Sequence, residues 1–148
     1  MRTKAGVFRK DSYDLNNDSA ISKVQKYLQD NGFNVEDKQV EDYDIDIIAN
    51  KNGIKYRIEV EVKNTYFEDE GTYPFDTVSF LGRKKKYSDP GMFYYFLLST
   101  KHNSFLYCES DIIYKEKHKE TATVNTSQRY GEDLFYRVPK ELCKFRQF

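Results

Sequence analysis

Five charged residues alternate with apolar ones along a short part of the chain: Asp44 and Asp46, then, beyond a turn, Glu59, Glu61 and Lys63. Successive residues of a strand point to opposite faces, so residues two apart share one. Read as a β-hairpin, residues 43–48 and 57–63 carry these five on one face and Ile45, Ile47, Ile58, Val60 and Val62 on the other. Carboxylates gathered in this way repel unless something cationic sits among them, and a hard divalent ion is the simplest such group. Mg²⁺ is typically held by one or two carboxylates while it keeps several waters and accepts phosphate oxygens. A lysine on the same face would orient or deprotonate a water and offset charge on the phosphorus under attack. Together these residue types point to metal-assisted hydrolysis of a phosphodiester.

The hairpin that would position them is specified by its turn. Asn50-Lys51-Asn52-Gly53 separates the two runs, and Asn-Gly favours a type I′ turn because both central residues need positive φ. With Asn52-Gly53 as the turn, Asp46 stands opposite Glu59 and diagonal to Glu61, at about 5 Å and about 7–8 Å for neighbours on one face. Alternation alone also describes any antiparallel hairpin with one wet face, and on alternation alone the solvated face is the commoner reading. Order and spacing favour a site.

Asp46-Ile47-Ile48-Ala49, a tight turn, then Ile58-Glu59-Val60-Glu61-Val62-Lys63 resembles the PD-(D/E)XK nuclease superfamily. In motif it is most similar to archaeal Holliday junction resolvases and related phage or viral nucleases. The resemblance covers roughly residues 18–63 and implies a restriction-endonuclease-like α/β fold. It implies Asp46 and Glu61 as metal ligands, the Val62 carbonyl as a further ligand, Lys63 as the catalytic lysine, and Mg²⁺ or Mn²⁺ as the cofactor. Asp44 and Glu59 would be supporting acids. Relatives of the resolvase type carry a glutamate near the start of the preceding helix, whereas here Ala20 and Ile21 occupy that region. Asp18 is the nearest acid and reads as a helix cap more readily than as a further supporting acid; Gln25 reads as an exposed residue. The minimal set Asp46, Glu61 and Lys63 does not depend on it.

The helix is predicted from Asp18 or Ser19 as cap, a stripe of Ile21, Val24, Tyr27 and Leu28, and an Asn31-Gly32 stop. Phe33-Asn34-Val35 then opens a first strand. Residues 64–71 read as a loop, and 75–82 as an extended segment feeding Arg83-Lys84-Lys85-Lys86. Such a basic run is usually a solvated face, but beside an acidic metal site it is a natural clamp for a phosphate backbone. Residues 92–99 are apolar on both parities, as expected of a central strand; their aromatic rings are alternatively a base-stacking platform. A turn at 101–104 leads to a strand at 105–108, and 111–114 reads as a short helix or turn. Residues 121–130 read as a polar loop bringing Gln128 and Arg129 towards a phosphate, and 132–138, before Pro139, as an edge strand.

With 148 residues the chain is expected to form one domain, 1–148, in which an N-terminal helix packs on a mixed sheet of about five strands with flanking helices. Lysine plus arginine and aspartate plus glutamate both number 24, so the total charge is neutral towards nucleic acid and its distribution decides. Thirteen tyrosines and eleven phenylalanines make the core aromatic. A mean hydropathy of −0.83 argues against a membrane span, and without an apolar stretch after Met1 the cytoplasm is expected. Cys108 and Cys143 form no C-x-x-C pair and make no zinc spacing with His102 and His118, which read as surface or loop residues. The function expected is a metal-dependent endodeoxyribonuclease acting on DNA, with RNA left open, as a homodimer or with a partner protein that targets it. The alternatives are a catalytically inactive nuclease-fold module for nucleic-acid binding or assembly, and a small non-enzymatic interaction protein.

Overall fold

The computed structural model describes residues 18–37, 45–82, 92–125 and 130–148. Helix α1 covers residues 18–30. Ala20, Val24 and Leu28, spaced four apart, are its fully buried stripe, and Ile21 and Tyr27 flank it. Asp18 and Ser19 already lie inside the helix and so do not cap it. The helix stops as its sequence dictates: the Gly32 N–H bonds to the Gln29 carbonyl (3.1 Å) and the Phe33 N–H to that of Leu28 (2.9 Å), the paired closure of a Schellman motif. Strand β1 (Asn34–Val35) follows, then β2 (Ile47–Lys51) and β3 (Ile54–Val62). Between them Asn52 and Gly53 both hold positive φ, 54° and 80°, as a type I′ turn demands.

The chain continues through β4 (Thr77–Leu81), β5 (Met92–Leu98), β6 (Ser104–Glu109), the one-turn helix α2 (Ser110–Ile113), β7 (Lys119–Asn125), β8 (Tyr130–Pro139) and β9 (Lys144–Gln147). The main sheet is mixed and has six strands, in the order β1-β2-β3-β5-β6-β9. Only β3 and β5 are parallel. The remaining strands form a second sheet, β4-β8-β7, in place of the single sheet expected. Within the stretch 121–130 read as a loop, residues 121–125 and Tyr130 are strand, because β7 and β8 pair with each other in this small sheet; 126–129 lie outside the described residues. Likewise β8 is the centre of that sheet, with β4 and β7 bonded on either side, and its terminal Pro139 pairs with Thr77.

Three layers result. Helix α1 covers one face of the main sheet, over Ile47, Ala49, Ile58, Val60, Phe96 and Leu98. On the other face Phe93, Tyr95, Leu97, Leu106 and Cys108 pack against Val78, Phe80, Tyr136 and Val138 of the small sheet. This second core is closed by Ile113 of α2 and by Phe67 and Tyr73 from the segment after β3. Both histidines are buried, at 8% exposure for His102 and 6% for His118, although His102 lies in a bend and His118 ends a short 3-10 helix. Tight turns over an aromatic core can bury polar rings that a sequence would leave outside. Among the described residues no helix is long and apolar enough to cross a membrane.

Candidate active site

The pairing of Ile47 with Ile58 sets the register that brings Asp46 and Glu59 together one step on. Asp46 lies in a bend just before β2, one residue short of the strand expected to hold it. Its carboxylate Oδ2 accepts the Val60 N–H at 2.9 Å, and Glu59 Oε2 accepts the Asp46 N–H at 3.3 Å. Two side chains thus take the place of backbone partners where the hairpin opens. They fix the acids to the backbone of the opposite strand.

Glu59 is 5% exposed, because the small sheet lies over this face. The charged face is therefore an interlayer at its Glu59 end and opens towards Glu61 and Lys63, whose side chains are 34% and 24% exposed. The Lys63 ammonium sits 3.9 Å from Glu61 Oε2 and donates to the Ser79 carbonyl of β4 at 3.2 Å. The Lys63 N–H bonds to the Leu98 carbonyl (2.8 Å), carrying the β3–β5 ladder one residue beyond Val62 and holding the lysine backbone in line. Tyr95 donates its phenolic O–H to Glu61 Oε1 at 3.1 Å. Its phenol is pushed well above the ordinary range, first by burial and then by the Glu61 charge. Burial, followed by the Glu59 charge, also raises Tyr114, whose O–H reaches the Leu81 carbonyl at 3.4 Å. Both phenols remain protonated, so they meet the acids as neutral groups.

The described structure thus brings together Asp46 with Glu59, and Glu61 with Lys63, on consecutive same-face positions of one strand and its partner. Val62 is the last residue of β3 and pairs with Leu98. Asp18 is exposed on α1, the helix that covers the opposite face. Asp44, Arg83, Lys84, Lys85, Lys86, Gln128 and Arg129 lie outside the described residues.

The donors of this face are oxygens, which suits a hard cation and not zinc. Among the described residues no three of His, Cys, Asp and Glu come together as a metal cage. Mg²⁺ ordinarily takes one or two carboxylates from a protein, and the acids of this face that could provide them are Asp46 and Glu61.

Tyr95, Tyr114 and the Ser79 carbonyl are parts of the site that sequence reasoning missed. Tyr95 shares its face with Phe93 and Leu97, and alternation could have separated it from Tyr94, but its partner Glu61 is set by a parallel pairing 34 residues distant. The two cysteines, far apart in sequence, also meet in space. Both are free and buried, and the Cys143 thiol is pushed up first by its hydrogen bond with Cys108 and then by burial. The chain matches no protein-family profile and no curated protein.

Proposed function

We propose that the protein is a Mg²⁺- or Mn²⁺-dependent endonuclease of the PD-(D/E)XK type, with a restriction-endonuclease-like fold, that hydrolyses phosphodiester bonds in DNA. The observation that carries this reading is the placement of Lys63 3.9 Å from Glu61 at the open end of β3, with Asp46 bonded to the same strand through Val60. A helix followed by an antiparallel run of strands, and then by a strand parallel to the lysine-bearing one, supports the fold assignment. The cation would act as a Lewis acid on the phosphate. Asp46 and Glu61 would hold it. Tyr95 orients the Glu61 carboxylate by bonding one of its oxygens. Lys63 presents a positive charge where negative charge grows on the phosphate, and its ammonium is held by the Ser79 carbonyl. Arg83 to Lys86 would grip the strand backbone.

Supercoiled, linear, single-stranded and branched DNA, and RNA, incubated with Mg²⁺, Mn²⁺ or EDTA, provide the test. Cleavage should require the metal and should vanish in Asp46→Ala and Lys63→Ala proteins that still fold. Equal cutting by both variants and the parent would remove the assignment. A second reading rests on the backbone bonds that Asp46 and Glu59 make: the same residues can serve structure alone in a nuclease-fold binding module. Salt-sensitive DNA binding with no cutting in any metal would favour it, and failure to bind DNA or metal would leave a non-enzymatic interaction protein.

A further inference from the structure

The helix-covered face of the main sheet is covered only in part. Because α1 stops at Gly32, the sheet beyond it carries a row of partly buried rings, one from each of three neighbouring strands: Tyr56 on β3, Tyr94 on β5 and Tyr107 on β6. Their centroids are 5.8 Å apart from Tyr56 to Tyr94 and 6.0 Å from Tyr94 to Tyr107. Phe33 extends the row at 5.3 Å from Tyr56. The end of α1 walls one side, enclosing a groove of about 230 Å³. That is below the roughly 300–1,000 Å³ of pockets for drug-sized ligands.

Cations stand at both ends of the row. Lys51 lies 5.0 Å from the Phe33 ring centroid and lines the groove. At the other end Lys144 pairs with Tyr107 and Arg146 with Phe105, and both are exposed. Phe145, between them, packs into the opposite core, so alternation directs the two cations to the tyrosine face. Among the described strand residues around the row, Glu109 is the acid on that face, paired with Tyr94. Burial raises the Tyr94 and Tyr107 phenols above their ordinary value, which keeps both neutral towards a polyanion.

We propose that Tyr56, Tyr94 and Tyr107, bounded by Lys51 on one side and by Lys144 and Arg146 on the other, form a stacking platform for single-stranded nucleic acid. Aromatic rings accept any base, and flanking cations meet the phosphates between stacked bases, a pairing of groups that a peptide or a duplex does not match. The platform lies on the sheet face opposite Glu61 and Lys63, so it is independent of the cleavage reading. It gives the protein a second contact with a strand.

The test uses the full chain in EDTA, where no metal-dependent cutting occurs. Fluorescein-labelled dT15 and rU15 are titrated by anisotropy, with a 15-base-pair duplex and a poly-aspartate peptide as competitors. The parent should bind the single strands with an affinity that falls as salt rises. Tyr56→Leu/Tyr94→Leu/Tyr107→Leu should weaken binding at least about 30-fold, equivalent to two lost stacks at the weak end of base–aromatic contacts. The triple Phe variant keeps the rings and should stay within about 3-fold of the parent, and Lys51→Glu/Lys144→Glu should reduce both affinity and salt slope. If the Leu triple fails to fold, the single Tyr107→Leu variant, at about 5-fold or more, replaces it. The proposal is overturned if the parent binds neither oligonucleotide, if folded Leu variants bind like the parent, or if poly-aspartate competes as well as dT15. Because the readout is binding in EDTA and not cleavage, loss of the platform and loss of the nuclease reading are separately visible.

Discussion

The two faces of the main sheet use the same strands for opposite purposes. On β3 and β5, Glu59, Glu61 and Tyr95 point between the sheets, while Tyr56, Ile58, Tyr94 and Phe96 point towards α1 and the groove beyond it. The interlayer face holds its polar groups by bonding each to another: Tyr95 to Glu61, Lys63 to Ser79, Glu59 to the Asp46 N–H. The helix face holds its tyrosines by ring contacts, with Glu109 bonded to the Tyr94 phenol. Polar groups that are buried must be satisfied, whereas partly exposed phenols can be left to water. Substitution on the first face should therefore disturb chemistry and stability together, and on the second chiefly binding.

The largest effect should come from the chemistry itself. Asp46→Ala and Lys63→Ala are each expected to lower cleavage by at least about 10²-fold. Oligonucleotide binding in EDTA should change by less than about 2-fold, and a parallel loss of both would erase the distinction between the faces. Glu59→Ala comes next. It leaves the Asp46 N–H without its acceptor and should cost about 1–3 kcal/mol, read as a lower urea midpoint at unchanged slope. Glu59→Gln, which keeps an oxygen in place, should recover most of that. A sharper comparison pairs two hydroxyl deletions. Tyr95→Phe removes a bond to a carboxylate and should cost about 1.5 kcal/mol, whereas Tyr56→Phe should stay within about 0.5 kcal/mol of the parent.

The smallest effect is a pH response. Burial, followed by the neighbouring Lys23 charge, holds the His102 imidazole below its ordinary 6.5. The unfolded chain therefore takes up this proton first, and stability present above about pH 6.5 is lost as the pH falls through that value towards the lower folded one. Lys23 also donates to the His102 carbonyl at 2.7 Å, so this turn ties α1 to the sheet. His102→Asn suits the positive φ of 58° and should flatten the melting-temperature difference between pH 7.5 and pH 5.5. An unchanged difference would place the acid response elsewhere.

What could be read from the chain follows the range of each signal. The Asn52-Gly53 turn, the Gly32 stop and the doubly apolar run of β5 are local, and each forms where its residues require. The Asp46–Glu59 register followed from the turn, because a two-residue loop fixes every later pairing. The small sheet was not legible. Its β4 and β8 meet across more than fifty residues, and in the polar stretch from Lys119 the strand signal is confined to the β-branched Thr121, Thr123 and Val124. Burial of Glu59 followed from that unseen layer, since a face read as open to water had a second sheet above it. Gly82 belongs here too. A Cβ there would lie 2.8 Å from the Leu134 carbonyl, a close approach of β8 to the exit of β4 that no local pattern announces.

The main sheet ends in very short strands, two residues of β1 on one side and four of β9 on the other. A row of open backbone donors and acceptors is what lets one molecule zip onto another. Here little of it is presented, and β9 carries Lys144 and Arg146 on its exposed side chains. Runaway strand-to-strand accretion is correspondingly discouraged. The longest edge strand described is instead β7 of the small sheet, with seven residues, so backbone pairing with another chain would have most room there.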